Sequence, residues 1–143
     1  MDVEYIENNL DYDTYYSLRK SVGWKNFSEK QTRQAIKNTM HSIVVKEQTQ
    51  AVAMARLVGD GLYYMIVDVV VAPEYQRQGI GSKLLELLLN YVENNLPEGG
   101  RVSIQLVAEK WKEEFYEHFG FKRIPHEFCG SGMRKVIYKR VGE

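Results

Sequence analysis

The segment Leu62–Val71 is almost continuously apolar, and it runs through a Gln/Gly-rich loop into the amphipathic stretch Ile80–Asn94. Few folds accept that succession. A run of this kind is expected of a central strand covered on both faces. Leu84, Leu87, Leu88 and Tyr91 recur at helical spacing and mark the inner side of the helix that follows. Asp68 is the one carboxylate inside the strand, where a charge costs several kcal/mol unless it is paired or hydrated.

The flanking chain supplies the rest of an α/β (α+β) domain. Val3–Ile6 reads as a first strand, and Asp11 caps a helix running to about Val22. Ser28-Glu29-Lys30-Gln31 has capping-box spacing and starts a second helix over 28–39. Strands are expected at Ser42–Lys46 and Ala51–Val58, with Gly59-Asp60-Gly61 turning the chain into the apolar run. After the long helix, Pro97-Glu98-Gly99-Gly100 leads to a strand at Val102–Val107. A helix at Glu109–Phe119 then stops at Gly120, and last strands are expected at Phe121–Ile124 and Met133–Lys139. The pattern predicts one domain over 1–143, with helices on both faces of a mixed sheet.

Composition narrows the function. Lys+Arg and Asp+Glu number 19 each, so no basic excess points to nucleic acid or a membrane surface. The first residues lack the cationic and apolar regions of a secretory signal, and no apolar stretch approaches the ~20 residues of a membrane span. A single cysteine, Cys129, fits a reducing cytoplasm and leaves no partner for an intramolecular disulfide. His41, His118 and His126 have no metal-ligand spacing, so no metal is expected.

The loop Gln76-Arg77-Gln78-Gly79-Ile80-Gly81 sits where chemistry could occur. A helix N-terminus presents unpaired N–H groups and about half a positive charge, and glycine lets an anion approach the main chain. The same glycines could simply make a turn. A P-loop is absent, and Ser82-Lys83-Leu84 lacks the third glycine of a dinucleotide fingerprint. For Asp68 two roles stand side by side: a base near the reacting centre, or half of an ion pair with Arg56 on the neighbouring strand. Tyr64 and His41 are further candidates for the base.

The block from Asp68 through Pro73, Gln76 and Gly79 to Gly81 resembles the acetyl-CoA motif of the GCN5-related N-acetyltransferase (GNAT) superfamily. Phe115-Tyr116-Glu117-His118-Phe119-Gly120-Phe121 is similar to that family's second signature. Gly23-Trp24, Ala55-Arg56, Asp60-Gly61, Phe115-Tyr116 and Gly132-Met133 further resemble the bacterial and plant arylalkylamine (serotonin-type) branch.

The resemblance implies a GNAT-like, mostly antiparallel sheet in which the strands at 62–71 and 102–107 splay apart around a pantetheine arm. It implies acetyl-CoA as donor cosubstrate and direct transfer to a primary amine through a tetrahedral intermediate, with no covalent enzyme intermediate. Backbone groups at Val69, Val70 and Val71 would meet the thioester end, and Gln76, Arg77, Gln78, Gly79, Ile80, Gly81 and Ser82 the pyrophosphate. Tyr116 would protonate the leaving thiolate. Trp24 and Tyr64 would line the site of a small-molecule amine. A homodimer through C-terminal strands is a further implication. Glu109 and Lys112 depart from the family pattern, and Met65 stands where the histone-type branch has a Glu. Two other readings of this scaffold remain: a non-catalytic acyl-CoA-binding regulator, and a protein or peptide N-acetyltransferase.

Overall fold

The structure, a computed structural model, describes residues 2–141 and comprises two compact units, the first ending at Val107 and the second beginning at Ala108. The first unit is built on five strands: β1 (Glu4–Glu7), β2 (His41–Glu47), β3 (Gln50–Gly59), β4 (Tyr63–Val71) and β5 (Ser103–Gln105), hydrogen-bonded in that order. All neighbours are antiparallel except β4 and β5, which are parallel because a helix, α3 (Ile80–Asn94), carries the chain between them. This is the expected mixed, mostly antiparallel sheet.

Local chemistry explains the first two helices. In α1 (Tyr12–Ser21) the Asp11 carboxylate accepts from the Thr14 N–H at 2.8 Å, and in α2 (Glu29–Lys37) the Ser28 hydroxyl accepts from the Gln31 N–H at 3.3 Å. Each side chain satisfies a donor that helical bonding leaves over. Positions alternate across the strands, so the sheet offers two apolar faces. On one, Val44, Met54 and Val70 pack with Leu10, Tyr15 and Leu18 from α1 and the segment before it. The side chains of opposite parity, among them Ile43, Val45 and Leu57, are buried towards α3, whose Leu84, Leu85 and Leu88 are fully enclosed. β3 is more completely buried than the more apolar β4. Being flanked on both edges and both faces matters more than composition.

The second unit contains α4 (Glu113–Glu117), shorter than the helix expected over Glu109–Phe119. Trp111 adopts a left-handed φ of 74° and cannot extend the helix backwards. It is 90% exposed, whereas Phe115 packs edge-on to Phe119. Gly120, at φ 91°, ends the helical turn. The strands expected at Phe121–Ile124 and Met133–Lys139 do not form. Only a bridge between His126 and Cys129 occurs there, and Met133 and Ile137 remain exposed. Apolar alternation makes a strand only when a ladder partner receives it.

Leu88→Ala is expected to lower stability by about 2–5 kcal/mol, the range for emptying a fully enclosed leucine site. Urea unfolding at an unchanged m-value is the measurement that checks it.

Candidate functional site

The loop between β4 and α3 is built to leave donors unused. A 3-10 turn at Pro73–Tyr75 follows β4, and the Gln76 amide donates back to the Val71 carbonyl at 2.9 Å. Arg77 takes a left-handed φ of 63°. Gly79, the N-cap of α3, takes one of 85°, so no side chain caps the helix and its first turn holds no acid. A Cβ built on Gly79 would meet no atom within 4 Å, so the space before the helix is open. Gly81 lies within the first turn of α3. The residue whose left-handed backbone requires glycine is therefore Gly79, not Gly81.

β4 is irregular in two ways. Its ladder with β5 covers Tyr63↔Ser103, Tyr64↔Ile104 and Met65↔Gln105, so among the described residues no strand lies along that edge from Ile66 to Val71. The expected splay is present. The expected strand at Val102–Val107 shortens to Ser103–Gln105 for the same reason, since beyond Gln105 it has no partner. On the other edge the register with β3 shifts: Val70 opposes Met54 and Val67 opposes Arg56, leaving Asp68 and Val69 together opposite Ala55. Two residues against one is a β-bulge, and Asp68 supplies the left-handed residue at φ 54°.

Asp68 is also the centre of a buried charge cluster. Its side chain is 7% exposed. Arg19 Nη1 donates to Oδ1 at 2.5 Å, Arg56 Nη1 to Oδ2 at 2.7 Å, and the Tyr15 hydroxyl to Oδ2 at 2.9 Å. Arg56 is held further by Thr39 Oγ1 and the Ala35 carbonyl, and Arg19 by the Lys25 carbonyl. The Arg19 guanidinium lies 5.5, 5.3 and 5.0 Å from the rings of Tyr15, Trp24 and Phe27. Of the two roles open to Asp68, this geometry favours the ion pair, and enlarges it. Both oxygens are engaged, and a carboxylate that took up a proton would leave two buried guanidiniums without a counter-charge. The sequence reading paired Asp68 with Arg56 alone and missed Tyr15 and Arg19 as its partners. They lie on α1, far from β4 in sequence. Their one trace is spacing, an arginine four residues after a tyrosine on a helix's apolar face.

The other expected site residues separate. Trp24 packs on the α1 face beside Arg19, whereas Tyr64 is buried on the α3 face, near Tyr91. Trp24 and Tyr64 therefore do not converge on one pocket. His41 is buried, stacked on Tyr91 at 4.1 Å, with its ring nitrogens 3.3 Å from Glu7 Oε1 and from the Asn8 amide. In the second unit, Tyr116 lies edge-on to Phe115 and Phe121, and burial, followed by the charge of Glu109, raises its pKa above the usual phenol range. Its hydroxyl is thus a proton donor at neutral pH. Among the described residues no group of three or more His, Cys, Asp or Glu could hold a metal ion, and no helix is long and apolar enough to cross a membrane.

The family model for the acetyltransferase (GNAT) domain matches residues 13–141. The chain belongs to the GNAT acetyltransferase family. It is 32% identical to a relative named GCN5-related N-acetyltransferase 1, chloroplastic, from Arabidopsis thaliana, over 92% of this chain and 64% of that protein. It is 31% identical to a Glycine max protein named histone acetyltransferase TAP1, over 84% of this chain and 56% of the relative. The GNAT chain thus spans less than two thirds of these relatives' length. Among solved structures, a GNAT-family acetyltransferase from Streptococcus pneumoniae superimposes with a TM-score of 0.79 at 25% identity, covering 96% of this chain and 100% of that one. A protein of unknown function from meticillin-resistant Staphylococcus aureus does so with a TM-score of 0.85, also at 25% identity and with the same coverage.

Burial first, and then the charge of Asp68, push the Tyr15 hydroxyl up to about 12 from its ordinary 10.0. A pKa raised in the folded state means that folding holds the proton more tightly. The stabilisation is complete below pH ~10 and is lost as pH rises towards ~12. Thermal melts across that window should show a falling midpoint, and Tyr15→Phe should flatten the fall.

Proposed function

We propose that this chain is an acetyl-CoA-dependent N-acetyltransferase that transfers acetyl directly to the primary amine of a small molecule. The observation that carries the reading is the exit of β4. Its edge is released from β5 beyond Met65, bulged at Asp68–Val69, and delivered into the uncapped N-terminus of α3. A split strand edge supplies backbone N–H groups along an extended ligand, and an uncapped helix start suits a pyrophosphate.

The residues present fit such a donor. The first turn of α3 lacks both a side-chain cap and an acid that would repel phosphate, and the space before Gly79 is open. Main-chain groups of Gln78 to Ser82 would hold the diphosphate, with Arg77 adding charge at the rim. A backbone N–H on the open edge, at Val69 or Val71, would polarise the thioester carbonyl and stabilise the oxyanion of the tetrahedral intermediate. The donor supplies an activated acetyl group, so no enzyme nucleophile is required. Tyr116 would protonate the departing thiolate, and the proton that the attacking nitrogen sheds as the amide forms would return through water to the Tyr116 phenolate.

Resemblance at Gly23-Trp24, Ala55-Arg56 and Gly132-Met133 favours a small primary amine. The Glycine max relative's name favours a second reading, an amine of a protein or peptide. Cys129, an exposed free thiol, fits a reducing compartment, either the cytoplasm or, as the Arabidopsis relative's name suggests, a plastid.

Saturating acetyl-CoA, at about 100 times its dissociation constant, should stabilise the protein by roughly 2.7 kcal/mol, seen as a raised melting temperature. Gly79→Val should abolish that rise, because a β-branched residue is strained at φ 85° and its side chain would occupy the open space. Free-thiol release from acetyl-CoA, assayed against arylalkylamines, polyamines and histone-tail peptides, tests the acceptor. Turnover with peptides alone would select the second reading, and binding without thiol release would mean an acyl-CoA-binding regulator. Tyr116→Phe should lower kcat by ~10²–10⁴-fold with acetyl-CoA affinity retained, and an unchanged kcat would remove it from the mechanism.

A further inference from the structure

We infer that Tyr15, Arg19 and Arg56 are positioning residues for acyl transfer, acting through Asp68 to hold the β4 bulge in the one register that turns the backbone N–H groups of Val69 and Val71, which alternate with the β3-facing N–H of Val70, towards the acyl donor. The inference rests on the acetyltransferase reading and adds to it a cluster that no step of the chemistry otherwise uses.

The bulge is not self-sustaining. Asp68 sits at φ 54°, a conformation that L residues other than Asn and Asp adopt reluctantly, in a strand that is otherwise extended. Relaxing it to ordinary β geometry would remove the two-against-one pairing at Ala55 and shift the strand beyond it by one residue. Because strand groups alternate with a period of two, that shift sends each N–H from Val69 to Val71 to the opposite edge. Donors now facing the open edge would face β3 instead. The side chain prevents the slip, because its oxygens are bonded from α1 through Tyr15 and Arg19 and from β3 through Arg56.

Those partners are anchored in turn. Arg19 donates to the Lys25 carbonyl, and Arg56 bonds Thr39 and the Ala35 carbonyl. Helix α1, the segment after it, and the end of α2 therefore share in fixing one peptide of β4. None of the four side chains needs to gain or lose a proton. Their effect is geometric, and a misplacement of about 1 Å at a reacting group can cost ~10²-fold in rate.

The test uses the full chain and the best amine from the panel, measuring kcat, both KM values, the pH–rate profile, thermal melts and the ¹⁵N-amide resonances of Val69–Val71. Asp68→Asn should lower kcat by about 100-fold, leave the amine KM and the shape of the pH profile as in wild type, and displace the Val69–Val71 resonances. Arg19→Lys and Arg56→Lys keep the charge but lose the planar fork, and should fall between Asp68→Asn and wild type. Tyr15→Phe keeps both ion pairs and should fold even if Asp68→Asn does not. It should cost several-fold in kcat, and add nothing further in an Asp68→Asn background that folds. Folded variants with wild-type kcat and unmoved resonances would overturn the inference while leaving the acetyltransferase reading intact. Recovery of Asp68→Asn at high pH would also overturn it, because the carboxylate would then be the base. A wild-type chain that neither binds acetyl-CoA nor releases thiol would defeat the acetyltransferase reading, and this inference with it.

Discussion

A carboxylate set into the interior of a central strand is costly, and the first unit of this protein is arranged around meeting that cost. Asp68 takes three donors, two of them guanidiniums, and its side chain is almost wholly enclosed. Removing one member of such a cluster typically costs about 3–5 kcal/mol, because the remaining charges are left buried. The cluster joins α1 to β3 and β4 by directional bonds, where apolar packing alone would tolerate sliding. It also coincides with the point at which β4 departs from regular geometry. A demanding electrostatic group and an irregular backbone occupy one residue.

The second constraint is the incomplete pairing of β4 and β5. Parallel strands joined through a helix need many residues of connection, and α3 with its flanking loops provides them. The two strands then stay together for only three paired positions. An edge opened inside a sheet would ordinarily be a liability. Here it lies directly upstream of an uncapped helix N-terminus, so unpaired strand donors and unpaired helix donors follow each other along one stretch of chain. This adjacency, and not any single side chain, supports the acyl-donor reading. Membership of the GNAT family, shown by the match over residues 13–141, agrees with it.

Much of the first unit could be read from residues in order. Asp11 and Ser28 announce helix starts because a cap is a local bond. Gly59-Asp60-Gly61 announces a hairpin because a turn is local backbone geometry. Ile80–Asn94 announces its inner face because helical period is local too. The second unit was less legible. Met133–Lys139 has the alternation of a strand, but a strand exists only through a partner, and apolar content does not say whether one is present. Trp111 falls within the helix expected over Glu109–Phe119, yet its left-handed backbone puts it outside the helix that forms.

The sequence by itself determined the order of elements from β1 to α3, the glycine-bearing turn before α3, and the presence of an isolated acid in β4 that is costly unless paired or hydrated. These are matters of local bonding and period, which neighbours along the chain decide. Only the tertiary structure decided that Asp68 has two arginines and a tyrosine, that Trp24 and Tyr64 lie on opposite faces of the sheet, and that β4 parts from β5 after Met65. Each depends on register, and register is set by pairing residues that are remote in sequence. A shift of one position reverses every face.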